Sequence, residues 1–182
     1  MVSPPVLHLM VGLPGAGKTA QARRIEADTG ALRLTPDEWM VPLFGHTDEA
    51  EKRALLEGRF IWVAHQSLRG GLSVILDFGC WSIEERYAIR DVAARAEASF
   101  SLHHLEVGEA ERRARAEVRW QRDTTSAYEM SSDDHDGFLA SFTPPTAAEV
   151  AGEPLPAAPR TFESWSHWAS QRWPSLPRLD LS

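Results

Sequence analysis

Residues 12–19 read Gly-Leu-Pro-Gly-Ala-Gly-Lys-Thr, directly behind the apolar run Val6 to Val11 and directly ahead of a helix-like stretch. A strand that ends in such a loop and turns into a helix aims several backbone N–H groups and a helix N-terminus at one point, where di- and triphosphate oxygens can sit. The loop residues Gly12, Leu13, Pro14, Gly15, Ala16, Gly17, Lys18 and Thr19 are therefore the candidate nucleotide-binding set. Lys18 is expected to reach the outer phosphates, and the Thr19 hydroxyl to hold Mg2+. Lys18 and Lys52 are the only lysines among 19 basic residues, the rest being arginine. General residue usage would place Arg at position 18, so a compact ammonium matters there, where a planar guanidinium would be bulky.

The pattern around the loop extends it into a layered fold. A helix from Lys18 to about Asp28 is ended by Thr29-Gly30, and Ala31 to Leu34 gives a short second strand. Thr35-Pro36-Asp37-Glu38 opens a helix with Thr as N-cap and Pro at the first helical position. Asp48 to Arg69 reads as a long helix stopped by Gly70-Gly71, followed by the strand Leu72 to Leu76. Ser82-Ile83-Glu84-Glu85 is a capping box for a helix running to about Glu97, and Ser99 to Val107 is a fourth strand. Alternation at this spacing predicts a three-layer α/β/α sandwich around a parallel sheet, with an arginine-rich lid helix at Glu109 to Arg122. A fifth strand is not evident.

A chain of 182 residues fits one domain, with a core over about residues 6–122 and a C-terminal extension over about 146–182. The stretch Asp123 to Pro145 reads as a polar loop, and Thr161 to Trp173 as a helix whose Trp165 and Trp168 pack onto the domain. A net charge of -7 argues against a nucleic-acid partner. Cys80, the single cysteine, is expected to be a small buried hydrophobe. No signal peptide or membrane-spanning run is visible, so a cytoplasmic protein without a membrane partner is expected. The oligomeric state leaves no mark in the sequence.

Two carboxylates follow strands at the carboxyl edge, where open α/β sheets bind ligands: Asp37 and Asp77. Asp77 is the expected Mg2+ support beside Thr19, with a turn residue as the structural alternative. Asp37 is the expected base that accepts the proton of an attacking hydroxyl, with a helix-dipole role as its alternative. Of the lid arginines Arg112, Arg113, Arg115, Arg119 and Arg122, the pair Arg115 and Arg119 is expected to stabilise transferred charge. The others belong to an ion-paired face shared with Glu109, Glu111 and Glu117. His103 and His104 are expected on opposite faces of their strand, and Asp133-Asp134-His135-Asp136 in an exposed loop. Arg59 and Arg86 read as surface charges.

With these residues the chain resembles the small kinase-type P-loop ATPases catalogued as an AAA-like ATP-binding domain. That group includes zeta toxins, chloramphenicol phosphotransferase and the kinase domain of phage polynucleotide kinase. The resemblance spans roughly residues 6–122 and rests on the loop, on Leu34 to Met40, on Val74 to Gly79 and on the arginine-rich lid. It implies Asp37 as catalytic base and a lid arginine as partner. Trp39 and Met40 stand where the polynucleotide kinases carry an arginine, which points to a less charged acceptor. An Asn-Lys-x-Asp sequence is absent, so ATP is the expected donor. The function expected is transfer of the γ-phosphoryl group of Mg-ATP to a hydroxyl of a small molecule, such as a nucleoside, sugar or antibiotic. The alternatives are a 5′-hydroxyl polynucleotide kinase and a nucleotide-dependent interaction switch.

Overall fold

The central strand of the sheet is also the one that feeds the phosphate loop. In the computed structural model, which describes residues 3–45, 50–122 and 130–181, β1 (Val6–Val11) pairs in parallel with β3 (Val74–Leu76) on one side and β4 (Ser99–His104) on the other. A short β2 (Leu32–Leu34) extends the sheet beyond β3, giving the order β2-β3-β1-β4 with every pairing parallel. Both flanking strands of β1 are thus reached by crossovers, and the carboxyl ends of β1, β2 and β3 meet at one edge.

Strand alternation divides the interior into two layers. Leu7, Leu9 and Val11 face the larger core, built with α3 (Ala50–Arg69), α4 (Ile83–Arg95) and α8 (Trp165–Arg172). Met10 and Ile75 face the other way, toward Ala22 and Ile25 of α1 (Lys18–Thr29). These are the three layers expected from the sequence. α1 ends where Gly30 takes a left-handed conformation, φ 70°, and its N–H caps the Glu26 carbonyl. Ser82 and Glu85 form the capping box of α4 with reciprocal bonds of 3.1 and 3.2 Å. Trp165 and Trp173 are buried in the larger core and Trp168 packs against it, with edge-on ring contacts at about 6 Å between neighbours. Cys80 is buried too.

Several expectations need correction. The polar stretch before Pro145 contains a helix, α6 (Ser132–Ser141), opened by a capping box between Ser131 and Asp134. Its residues Asp133 to Asp136 therefore form a first helical turn, and His135 is buried. The polarity that reads as loop is the helix's own N-terminal acid set. A further short helix, α7 (Ala147–Ala151), follows. Arg86 is fully buried rather than a surface charge. Asp48, the expected start of the long helix, and residues 123–129 lie outside the described residues. His103 and His104 do point apart: His103 meets His8 at 3.0 Å, and the His104 ring packs near Phe142. No described helix is long and apolar enough to cross a membrane.

Candidate active site

The phosphate loop is shaped by close backbone contacts that leave no room for side chains. Gly15 has φ +85°, and a Cβ there would run into the carbonyl oxygen of Arg112 in α5 (Glu109–Arg122). The Arg112 side chain is itself buried, with Nη1 3.0 Å from His135 Nδ1 and 3.5 Å from the Pro14 carbonyl. The lid helix is therefore seated on the loop through Arg112, and α6 is seated on the lid through His135. Gly15→Ala is expected to weaken nucleotide binding by about 5- to 100-fold, from left-handed strain and displacement of the lid, which equilibrium titration with ATP will measure. An unchanged affinity would remove this loop-to-lid contact from the account.

Gly17, left-handed at φ 97°, turns the chain into α1, and Lys18 is the first residue of that helix. Its Nζ folds back to the Leu13 carbonyl at 3.1 Å, so the ammonium lies over the loop. Burial lowers its pKa to about 8, against the pull of the Asp77 and Asp37 charges.

Asp77 follows β3 and is nearly inaccessible to solvent. Its N–H donates to the Leu34 carbonyl, which ties the ends of β3 and β2 together. Thr35 was expected as the side-chain cap of α2 (Pro36–Phe44), but its hydroxyl makes no cap bond. It accepts from Arg33 Nη1 and donates to Asp77 Oδ2 at 3.2 Å. The Glu38 N–H, which a cap hydroxyl would take, bonds the Thr35 carbonyl at 3.2 Å, and the hydroxyl serves the carboxylate. Burial raises the Asp77 pKa, while the Thr19 hydroxyl and Lys18 favour its anion. Asp77 Oδ1 is buried and has no hydrogen-bond partner among the described residues.

Asp37 sits in the first turn of α2 between two arginines. Arg53 Nη1 reaches Oδ1 at 3.0 Å from α3, and Arg119 Nη2 reaches Oδ2 at 3.2 Å from the lid. Burial pushes the Asp37 pKa up, but the two guanidiniums outweigh it and hold the carboxyl below the usual range. Arg115 pairs with Glu111, and its guanidinium lies beside Gly17. Arg113, by contrast, is absorbed by Glu109 and Asp136 on the outer face.

One cleft of about 1110 Å³ gathers Pro14, Gly15, Gly17, Lys18, Thr19, Asp37, Asp77, Arg115 and Arg119. Gly12, Leu13 and Ala16 are buried in the loop's underside. The far half of the cleft holds residues that sequence reasoning missed. Arg53 also binds Glu57 at 3.1 Å, and Glu57 accepts from the Trp173 indole at 3.1 Å. Arg172 pairs with Glu85 at 2.7 Å. In the sequence, Arg53 and Glu57 show only the four-residue spacing of an exposed helical ion pair, so nothing marks them as site residues. The C-terminal extension carries no motif at all, yet Arg172 and Trp173 line this half.

Among curated proteins, none matches the chain. Solved structures do. Kti12 from Chaetomium thermophilum, in complex with ADP-AlF3, superposes with a TM-score of 0.64 at 17% identity, covering 94% of this chain and 99% of that one. A chain of the Pnkp1/Rnl/Hen1 RNA repair complex gives 0.63 at 16% identity over 88% of this chain, which spans only 50% of that larger one. The adenylylsulfate (APS) kinase CysC of Mycobacterium tuberculosis, in complex with AMPPNP and APS, gives 0.51 at 19% identity, covering 76% and 98%. These likenesses establish a shared α/β fold around a parallel sheet. The AAA domain profile matches residues 7–145, which includes the loop, both carboxylates and the lid, and the chain therefore belongs to the AAA domain family.

Proposed function

We propose that the protein is an ATP-dependent phosphotransferase that moves the γ-phosphoryl group to a hydroxyl of a small molecule. The observation that carries this reading is the placement of Asp37 in the same cleft as Lys18, with a lid arginine on one carboxylate oxygen and Arg53 on the other. A carboxylate placed there can accept the proton of a hydroxyl that attacks the terminal phosphate.

In this reading residues 12–19 hold the phosphates, with Lys18 as the point charge on the outer ones. Arg53 keeps the Asp37 carboxylate oriented. Arg119 turns from Asp37 toward the transferred phosphoryl group when nucleotide is bound, stabilising its charge and freeing Oδ2 to accept the hydroxyl proton. Arg115, beside Gly17, adds charge from the same helix. The orphaned, buried Asp77 Oδ1 beside Thr19 and Lys18 suits a divalent cation, so Thr19 and Asp77 are the residues that would hold Mg2+. Such an ion neutralises phosphate charge when bound.

ADP release from Mg-ATP across nucleosides, sugars, antibiotics and a 5′-hydroxyl oligonucleotide tests the proposal. Stimulation by an acceptor with matching phosphorylated product is expected; ATP turnover indifferent to every acceptor would overturn it. Lys18 adds a pH signature. Its pKa near 8 in the empty protein means that the ammonium is lost above that pH. Phosphates favour the charged form, so the dissociation constant for ATP is expected to rise above pH 8, approaching tenfold per pH unit. Lys18→Met should flatten that limb in the same titration.

A further inference from the structure

We infer that the acceptor chamber takes a hydroxyl compound carrying no anionic group, neutral or amine-bearing, with a flat face. This rests on the phosphotransferase reading and narrows its substrate class.

Charge is the first argument. Both arginines that line the far half are already held by carboxylates: Arg53 by Asp37 and Glu57, and Arg172 by Glu85. Asp37 is held by Arg119 as well, so three acids meet three arginines and each of these guanidiniums already has a carboxylate. An incoming phosphate or carboxylate would have to displace one of those acids from its guanidinium, or lie among them unpaired, and either is unfavourable in a partly desolvated chamber. Hydroxyl and ammonium groups find carboxylate oxygens ready to accept from them.

Trp81 supplies the second argument. It lines the chamber, and its Nε1, buried along the edge that packs over Gly79, has no hydrogen-bond partner among the described residues. What the residue offers a ligand is therefore its ring. The ring is fixed where it stands. The Trp81 carbonyl accepts from Arg86 Nη1 at 3.2 Å and from the Thr143 N–H at 3.0 Å. Gly79 leaves the space the indole edge occupies, since a Cβ there would come within 2.9 Å of Nε1. The Phe138 ring meets the indole nearly edge-on, with centroids 5.2 Å apart. A rigid aromatic wall suits the flat face of a sugar or base.

The full-length protein loaded with Mg2+ and AMPPNP provides the test, by calorimetric titration with nucleosides, sugars and aminosugars, each beside its phosphate ester. At least one unesterified member should bind, its ester at least about tenfold more weakly. Trp81→Ala, which removes the ring, should weaken that ligand by about 5- to 10-fold and leave the AMPPNP affinity unchanged. Esters that bind as well or better, an unaltered Trp81→Ala variant, or a panel in which nothing binds would each overturn the inference. Phosphoryl transfer from ATP to the selected ligand separates the two proposals. Selective binding without transfer refutes the kinase and spares the chamber; transfer to a phosphate ester does the reverse.

Discussion

Asp37→Asn is expected to lower phosphoryl transfer by about 100- to 10,000-fold while changing ATP affinity by no more than about threefold. Asparagine keeps the size of the side chain and its place in the first turn of α2, but it cannot take the proton of the attacking hydroxyl. In the proposed reading the nucleotide is held by the loop, which the substitution reaches only through the Asp37 charge felt at Lys18. The two arginines distinguish this from simple misfolding. Arg53 retains Glu57 as a partner, so removing the Asp37 charge does not leave that guanidinium buried alone. The pH dependence carries the same logic. Because Arg53 and Arg119 hold the Asp37 pKa below its ordinary value, the base is already ionised through neutral and mildly acidic pH. An acid limb due to Asp37 should therefore lie below about pH 4 and vanish in the Asn variant. The stability that the pairing contributes is present above the unfolded carboxyl value and is lost as pH falls through the depressed folded one. Single-turnover transfer with γ-labelled ATP, beside a binding titration, decides the matter. A variant that transfers at the wild-type rate would leave Asp37 as a helix-dipole residue.

The same residues show how far the sequence could be read. The loop, the order of strands and helices as far as Arg122, and the positions of Asp37 and Asp77 follow from local patterns: a motif, an apolar run, a carboxylate at a strand's end. Each is encoded within a few consecutive residues, and parallel strands bring those residues to one edge without further information. What stayed hidden depends on distant partners. Arg53 and Glu57 look like a solvated pair until Trp173, 116 positions further on, donates to Glu57. Trp81 is an ordinary aromatic until Phe138 and Gly79 fix its ring. Thr35 is the N-cap residue as expected, but its hydroxyl goes to Asp77, 42 positions further on, instead of to the helix end. The C-terminal extension was expected to pack by its tryptophans, and it does, but its share in the chamber wall could not be inferred from packing alone.

Arg86 is the second residue whose loss should be large, and here the effect falls on stability. The sequence pattern makes it a surface charge on an amphipathic helix, yet its side chain is wholly inaccessible to solvent. Nε and Nη2 meet Glu149 Oε1 and Oε2 at 2.6 and 3.2 Å, and Nη1 donates to the carbonyls of Cys80, Trp81 and Thr143. One guanidinium thereby joins α4, the loop after β3, the end of the α6 segment and α7, and it fixes the backbone that carries Trp81. Arg86→Met leaves a buried carboxylate without its cation and the carbonyls of Cys80 and Thr143 without their donor, at a cost of about 3–5 kcal/mol. Lysine should recover only part of this, since a single ammonium cannot reproduce the bidentate fork. Arg86→Met with Glu149→Gln should recover more than either single change suggests, because no unpaired charge remains. Urea denaturation is the measurement, with a lowered midpoint at constant slope as the expected signature. Glu149 adds a pH window: burial pushes its pKa up, but Arg86 and the Thr146 backbone hold it below the ordinary value. The pair's stabilisation is therefore present above the unfolded glutamate pKa, about 4.3, and drains away as pH falls through the lower folded value. A loss under about 1 kcal/mol in Arg86→Met would show that the buried pair only breaks even against an apolar side chain, and the rigidity claimed for the Trp81 wall would then need another source.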